Sequence, residues 1–262
     1  MCTLIVLHRC FPDAQLVVAA NRDEYLDRPT EGPALRPWNG RVLLAPRDVR
    51  AGGSWLGRSN AGLFAALTNR PVAAPDPARR SRGLLVNDVL AAHENAEGAA
   101  KALASLPPGA YNAFNLLVAD GERAFVAVYE GSPEVTELAP GAHVIGNADP
   151  DDRTHPKVGR ILAEAEAVAA GTSAEALDRL AGLCRAHVER GGNPLADTCI
   201  HHGGYGTRSS TLLRVGSRAE DDRFLWLDGS PCETGFEDRT HLLRELDRTT
   251  GIPYEAKTRN VA

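Results

Sequence analysis

No stretch of this chain approaches the roughly 18 consecutive apolar residues that a membrane-spanning helix requires, so no integral membrane segment is expected. Basic residues are not in excess either. Lysine and arginine total 29 against 34 aspartates and glutamates, a net charge of -5. A broad surface that tracks nucleic-acid phosphates therefore does not fit this composition. The five cysteines, Cys2, Cys10, Cys184, Cys199 and Cys232, are odd in number and irregularly spaced, with no CxxC pair. That disfavours a zinc ribbon and a thioredoxin-like site. The N-terminus runs into MCTLIVLHRC without a basic leader or a small-residue cleavage site, so a cytoplasmic protein with reduced thiols is expected. GxGxxG, Walker A, GxSxG and HExxH motifs are all missing, as are internal repeats.

What remains is ordinary globular composition. The 262 residues are 43% hydrophobic and 24% charged, enough to bury a sizeable core. No linker-like stretch separates two cores, so residues 1–262 read as a single domain. Apolar, β-branched runs at residues 2–8, 15–21, 62–68, 113–119 and 124–129 read as strands. Residues 41–45, 142–146, 207–215 and 223–227 are further candidates. The runs do not alternate cleanly; they are apolar on both faces, as in sheets covered on both sides. Helical segments are expected at 84–92, 96–106, 157–170 and 174–188, with Pro-containing loops at 30–38 and 72–82. The fold class this implies is α+β, antiparallel sheets layered with helices.

Cys2 stands directly after the initiator methionine, whose removal a residue as small as cysteine allows. A processed chain would carry a thiol with a pKa of about 8.5 and an α-amine of about 7.7–8.0 on one residue. That is a nucleophile beside its own base, with no separate histidine needed. A hairpin whose turn centres between Phe11 and Pro12 pairs Cys2 with Asn21 and His8 with Gln15. This register puts Asn21 and Asp23 on the Cys2 face and turns Arg22 and Glu24 away. Against this stands the plain alternative that Cys2 is a small core residue at a strand start.

The run Asn21-Arg22-Asp23-Glu24, with Met1-Cys2-Thr3, resembles the NRDE family, which includes the Transport and Golgi Organisation protein 2 homologues. The resemblance continues through GGSWLG at 52–57, GLFAALTNR at 62–70, YNAFNL at 111–116, Gly146-Asn147-Ala148 and YGTRSST at 205–211, and fades after about residue 230. That family resembles N-terminal nucleophile hydrolases of the choloylglycine hydrolase and penicillin-acylase type, which implies a four-layer αββα sandwich. The resemblance implies Cys2 as nucleophile and Asp23 as the carboxylate near the amine. It also implies Asn69 as an oxyanion donor and Asn147 as a second site asparagine, with Arg208 a looser match to a site arginine. Asn21, Arg22 and Glu24 join Arg208 as ligand-binding candidates. The analogous hydrolases carry an arginine near the start of the second strand, a neighbourhood that Ala20 or Arg22 fills here.

Two functions remain open ahead of a third, an interaction protein with a vestigial pocket. One is an amidase or acyl hydrolase acting through Cys2 on a nonpeptide C–N bond. The other is a non-catalytic carrier of haem, acyl-CoA or lipid, because the family is linked to mobilising haem and to acyl-CoA or lipid metabolism. The expected partner in either case is a small molecule: an amide, haem or acyl-CoA. No cofactor is required, with haem a possible ligand. Haem ligation would use an accessible His, Cys or Tyr. His201-His202, near Cys199 and Asp197, could bind a metal or haem but reads rather as a polar loop ahead of a strand, and no metal site is expected. The GGSWLG segment lacks the Lys and Ser/Thr of a phosphate cradle and reads as a tight turn that packs Trp55.

Overall fold

Strands that are apolar on both faces need a cover on each side, and the computed structural model, which describes residues 2–188 and 193–249, supplies one. In chain order the strands before the first helices are β1 (Cys2–Phe11), β2 (Ala14–Tyr25), β3 (Thr30–Trp38), β4 (Arg41–Asp48), β5 (Leu56–Ser59) and β6 (Phe64–Asn69). Helices α1 (Arg82–Ala92) and α2 (Ala96–Ala104) follow, then β7 (Phe114–Ala119), β8 (Ala124–Tyr129), β9 (Pro133–Leu138) and β10 (Gly141–Ile145). The last part contains α3 (Pro156–Ala169), α4 (Ser173–Arg185), β11 (His201–His202), β12 (Tyr205–Gly216), β13 (Arg223–Asp228), β14 (Glu237–Asp238) and α5 (Thr240–Asp247).

These strands form two antiparallel seven-stranded sheets. One runs β10-β1-β2-β12-β13-β14, with β11 beside the start of β12; the other runs β3 to β9 in sequence order. Leu4, Val6, Val18, Leu44, Trp55 and Trp226 pack between the sheets, joined by Leu243 and Leu246 of α5. Helices α1 and α2 cover the second sheet over Leu43, Leu90, Phe114 and Tyr129. On the first sheet, α3 and α4 lie over Ile5, Leu7, Val17, Leu162 and Leu180. The α+β class and the four-layer αββα order are therefore as expected.

Three expectations need correction. Residues 30–38 are not a loop but the strand β3, bent by a bulge between Glu31 and Ala34 that takes up Pro33. The strand lies at a sheet edge, where a proline breaks no interior ladder. The first hairpin turns around Pro12 and Asp13, pairing Phe11 with Ala14, and a bulge follows in which Arg9 takes a positive φ of 52°. Turn and bulge together slide the strands by one residue. Cys2 thus faces Arg22, not Asn21, and His8 faces Leu16, not Gln15. Because the side-chain period is two, that slip exchanges the faces.

The GGSWLG segment packs more tightly than a simple turn. A Cβ on Gly53 would lie 2.1 Å from the backbone carbon of Gly83, so the start of α1 seats directly on this loop. Ser54 N donates to the Gly83 carbonyl at 3.0 Å across the same contact. Gly53→Ala is expected to cost about 2–4 kcal/mol in chemical unfolding, since backbone must move. Gly182→Ala, on the exposed face of α4 with nothing within 4 Å, is expected to add about 0.5–1 kcal/mol.

Candidate active site

Cys2 opens β1, so its side chain sits at the mouth of the gap between the sheets rather than in the gap's interior. Two cavities meet there. One, about 630 Å³, is lined by Cys2, Asn147, Lys157, Val158, Ile161 and Leu195. The other, about 250 Å³, is lined by Cys2, Arg22, Asp23, Asn69, Trp55 and Arg82. Of the residues predicted around Cys2, Asn147 lines the larger cavity and Asp23 and Asn69 line the smaller, and Cys2 borders both.

Arg22 is the side chain that the hairpin register places across from Cys2. It is only 5% exposed. Its guanidinium lies 4.2 Å over the Trp55 ring and donates to Thr30 Oγ1 at 3.3 Å. Glu24 at 3.8 Å and Asp48 at 3.6 Å balance its charge. Arg22 thus sits near the end of β2, not at its start, with its guanidinium over the indole of the GGSWLG segment. Stacking of this kind suits a guanidinium better than an ammonium.

Asn21 and Asp23 face the helical layer instead. Asn21 Nδ2 donates to the carbonyls of Cys184 and Thr198, both at 2.9 Å, and its Oδ1 accepts from Ser210 at 2.7 Å. A side chain so engaged ties α4 and the segment after it to β2; it has no free group for a ligand. Asp23 lies one position beyond the partner of Cys2, on the side of the Cys2 backbone nitrogen. It accepts from Thr207 Oγ1 at 2.7 Å. Burial pushes its carboxyl up to about 6, although the Lys157 ammonium and the Thr207 hydroxyl pull the other way.

Lys157 escaped the sequence reading. His155 caps α3, accepting from Val158 N at 3.3 Å, and Pro156 opens the helix, so Lys157 enters the first turn aimed at Asp23 and Cys2. Its Nζ makes no hydrogen bond among the described residues, and burial holds its ammonium below the ordinary value. The signal available in sequence was the His-Pro pair as a helix start. Burial also raises the Cys2 thiol, and the Asp23 charge adds to the rise, while Arg22 lowers it.

The asparagines form a linked pair. Asn69 ends β6, and its carbonyl accepts from Asn147 Nδ2. A second unforeseen residue, Asn115, is fully buried and donates to the carbonyls of Gly146 and Ala148, at 3.1 and 2.9 Å. Thr68 Oγ1 donates to Gly146 as well, at 2.5 Å. The loop that presents Asn147 is thus pinned from β6 and β7. Glu24 lines the smaller cavity. Arg208 does not join the group: it occupies the bulge of β12 and pairs with Asp228 at the far side of the sheet.

Comparison with known proteins follows this geometry. A sequence model of the family described as Transport and Golgi organisation 2 matches residues 1–222. The mouse Transport and Golgi organization 2 homolog is 35% identical over 141 residues, covering 51% of each chain. The bovine homolog is 36% identical over 141 residues, again with 51% of each covered. The chain spans about half the length of the curated relatives it matches. Among solved structures, penicillin V acylase from Agrobacterium tumefaciens superposes with a TM-score of 0.57 at 13% identity, over 86% of this chain and 82% of that one. A Caenorhabditis elegans ortholog of N-acylethanolamine-hydrolyzing acid amidase gives 0.55 at 16%, over 80% and 92%. A mutant conjugated bile acid hydrolase from Clostridium perfringens gives 0.52 at 11%, over 91% and 96%. At such identities the likeness concerns the fold, the N-terminal nucleophile hydrolase sandwich.

The Asp23 shift carries a sign for stability. Its folded pKa of about 6 lies above the 3.8 of the free side chain, so its ionisation opposes folding. The stability it provides is complete below about pH 4 and is lost as the pH rises through about 6. Asp23→Asn is therefore expected to be about 2–3 kcal/mol more stable than the parent above pH 7 and equal to it below pH 4, in urea unfolding at a series of pH values. A difference that does not vary with pH would contradict the assignment.

Proposed function

We propose that this chain, which belongs to the Transport and Golgi organisation 2 family, is a cysteine hydrolase of nonpeptide acyl amides that uses the N-terminal Cys2 as nucleophile. The observation that carries the reading is the placement of Cys2 where the two cavities join, with Arg22 opposite and Asp23 beside its backbone nitrogen. Relatives in fold named as an acylase, an amidase and a hydrolase lend it weight. Met1, whose removal the mechanism needs, lies outside the described residues.

In this mechanism the freed α-amine of Cys2 takes the thiol proton as sulfur attacks the carbonyl carbon, and the carbonyl π electrons move to oxygen. Asp23, itself held near Lys157, orients the neutral amine and stabilises the ammonium that forms when it takes the proton. The amides of Asn69 and Asn147 face the oxyanion, a contribution of about 2.7–4 kcal/mol for a well-placed donor. Collapse of the oxyanion expels the amine leaving group, which takes the proton from the α-ammonium, and leaves a thioester on Cys2. Water, deprotonated by the same amine, attacks the thioester carbonyl; the C–S bond breaks, the acid leaves, and the α-ammonium returns its proton to the Cys2 sulfur. The acyl chain occupies the larger cavity, whose wall includes Val144, Val158, Ile161 and Leu195. The leaving group faces Arg82, which donates to the Ala113 carbonyl and makes no ion pair among the described residues. A polar or anionic leaving group fits that side. The compartment we assign is the cytoplasm, where the irregularly spaced free thiols would stay reduced. Among the described residues no helix is long and apolar enough to cross a membrane.

A second reading, a carrier of haem, acyl-CoA or lipid, draws on the larger cavity itself. Cys2 and His155 both line it, and these residue types ligate haem iron.

One experiment separates the two. Intact mass should show loss of Met1, and a panel of N-acyl amides should be turned over with Cys2→Ala reduced at least about 1,000-fold and still folded. The rate should fall below about pH 6 as Asp23 takes up its proton. Fully retained Met1, or equal turnover by Cys2→Ala, would end the hydrolase reading. Saturable haem or acyl-CoA binding by Cys2→Ala without turnover by the parent would favour the carrier.

A further inference from the structure

Away from the Cys2 cavities, a second cluster collects side chains from distant parts of the chain. His187 follows the end of α4, Cys199 and His201 lie at the approach to β12, and Cys232 stands in the turn after β13. Their donor atoms all lie within 4.8 Å of one another. His201 Nε2 is 3.0 Å from Cys232 Sγ, Cys199 Sγ is 3.4 Å from Cys232 Sγ, and Cys199 Sγ is 3.7 Å from His201 Nε2. Tetrahedral zinc, with bonds of about 2.3 Å to sulfur and about 2.0–2.1 Å to nitrogen, sets sulfur–sulfur separations of about 3.8 Å and sulfur–nitrogen separations of about 3.5 Å. The three spacings lie within about 0.5 Å of those values.

We infer that His187, Cys199, His201 and Cys232 form a structural zinc site that clasps the end of α4 to the β12–β13 region.

The surroundings fit that use. Asp197 Oδ2 lies 3.3 Å from His187 Nδ1, which leaves Nε2 of the same ring for the metal. Asp197 is itself 8% exposed and fixed by a 2.7 Å bond from Val188 N. A carboxylate behind a ligating histidine sets its tautomer and orientation. On binding, both thiols give their protons to solvent, and two thiolates balance the dication, so the closed site is neutral. Cys199 is buried, whereas His187, His201 and Cys232 are exposed, which gives an ion a path in. The spacing along the chain matches no zinc-finger pattern, because the donors come from three separate segments that only the fold brings together. Between two of them runs the stretch holding Leu195 and Ala196, part of the wall of the larger cavity. The zinc site stands independently of any turnover at Cys2.

Full-length protein, purified anaerobically under reducing conditions from zinc-supplemented cells, should contain about one zinc per chain by mass spectrometric metal analysis. Cys199→Ser, Cys232→Ser and His201→Ala should each lose at least about 10-fold in zinc affinity. Chelator-stripped parent protein titrated with cobalt(II) alone should develop the visible bands of a tetrahedral site together with thiolate charge-transfer absorption. That readout needs no variant to fold. Less than about 0.1 zinc per chain with no tetrahedral cobalt spectrum would overturn the inference. So would a Cys199–Cys232 disulfide in the anaerobic protein, seen as an intact mass two hydrogens lighter, or stoichiometric zinc that survives removal of both thiols.

Discussion

The pairing of Cys2 with Arg22 across the first hairpin governs what surrounds Cys2. A bulge at Arg9 and a turn at Pro12-Asp13 set that pairing from the other end of the strands, far from the site. Since side chains alternate, the same offset sends Arg22 toward Trp55 between the sheets and sends Asn21 and Asp23 toward α3 and α4. The two sides then do different work. Between the sheets, a guanidinium stacked on an indole offers positive charge to a thiolate. Under the helices, Asn21 ties the layers together and Asp23 waits beside the chain's own nitrogen. One strand delivers both because it ends where the sandwich opens.

Charge at the site is held against burial. Asp23 and the Cys2 thiol are both pushed toward their neutral forms, and Lys157 likewise, so the group resists ionising all at once. Lys157 and Asp23 favour each other's charged states, and Arg22 favours a thiolate. Perturbed groups gathered beside cavities are a feature that reactive centres share with buried ion-pair networks. The loop bearing Asn147 is fixed by Asn115 and Thr68 rather than by its own sequence, so the asparagine pair is positioned before any ligand arrives.

Much of this arrangement was legible in the residues. Two-sided apolar runs announced covered sheets, and the helix pairs announced the covers. Cys2, Asp23, Asn69 and Asn147 could be singled out as candidates because a position next to the initiator methionine and the ends of apolar strands are visible in the residues alone. The hairpin register was not, because a bulge leaves no clear mark in a sequence and one residue exchanges the faces. β3 was read as a loop since its prolines break strands everywhere except at an edge, and edges are set by topology. Lys157 and Asn115 belong to a helix start and a strand that look ordinary alone. The metal cluster was only half legible: Cys199 and His201 are neighbours in the sequence, whereas His187 and Cys232 lie on separate segments that only the fold brings to them.

The prolines of β3 have a consequence for the protein as a crowded solute. β3 and β9 are the outer strands of the second sheet, and each carries proline: Pro33 and Pro37 in one, Pro133 in the other. A proline presents no amide hydrogen to an approaching strand, and the bulge at Pro33 bends the rim out of line. Glu134 and Glu137 add like charge along β9. Another molecule that tried to continue the ladder would meet missing donors and repulsion. The rims of this sheet are thereby poor templates for a further strand.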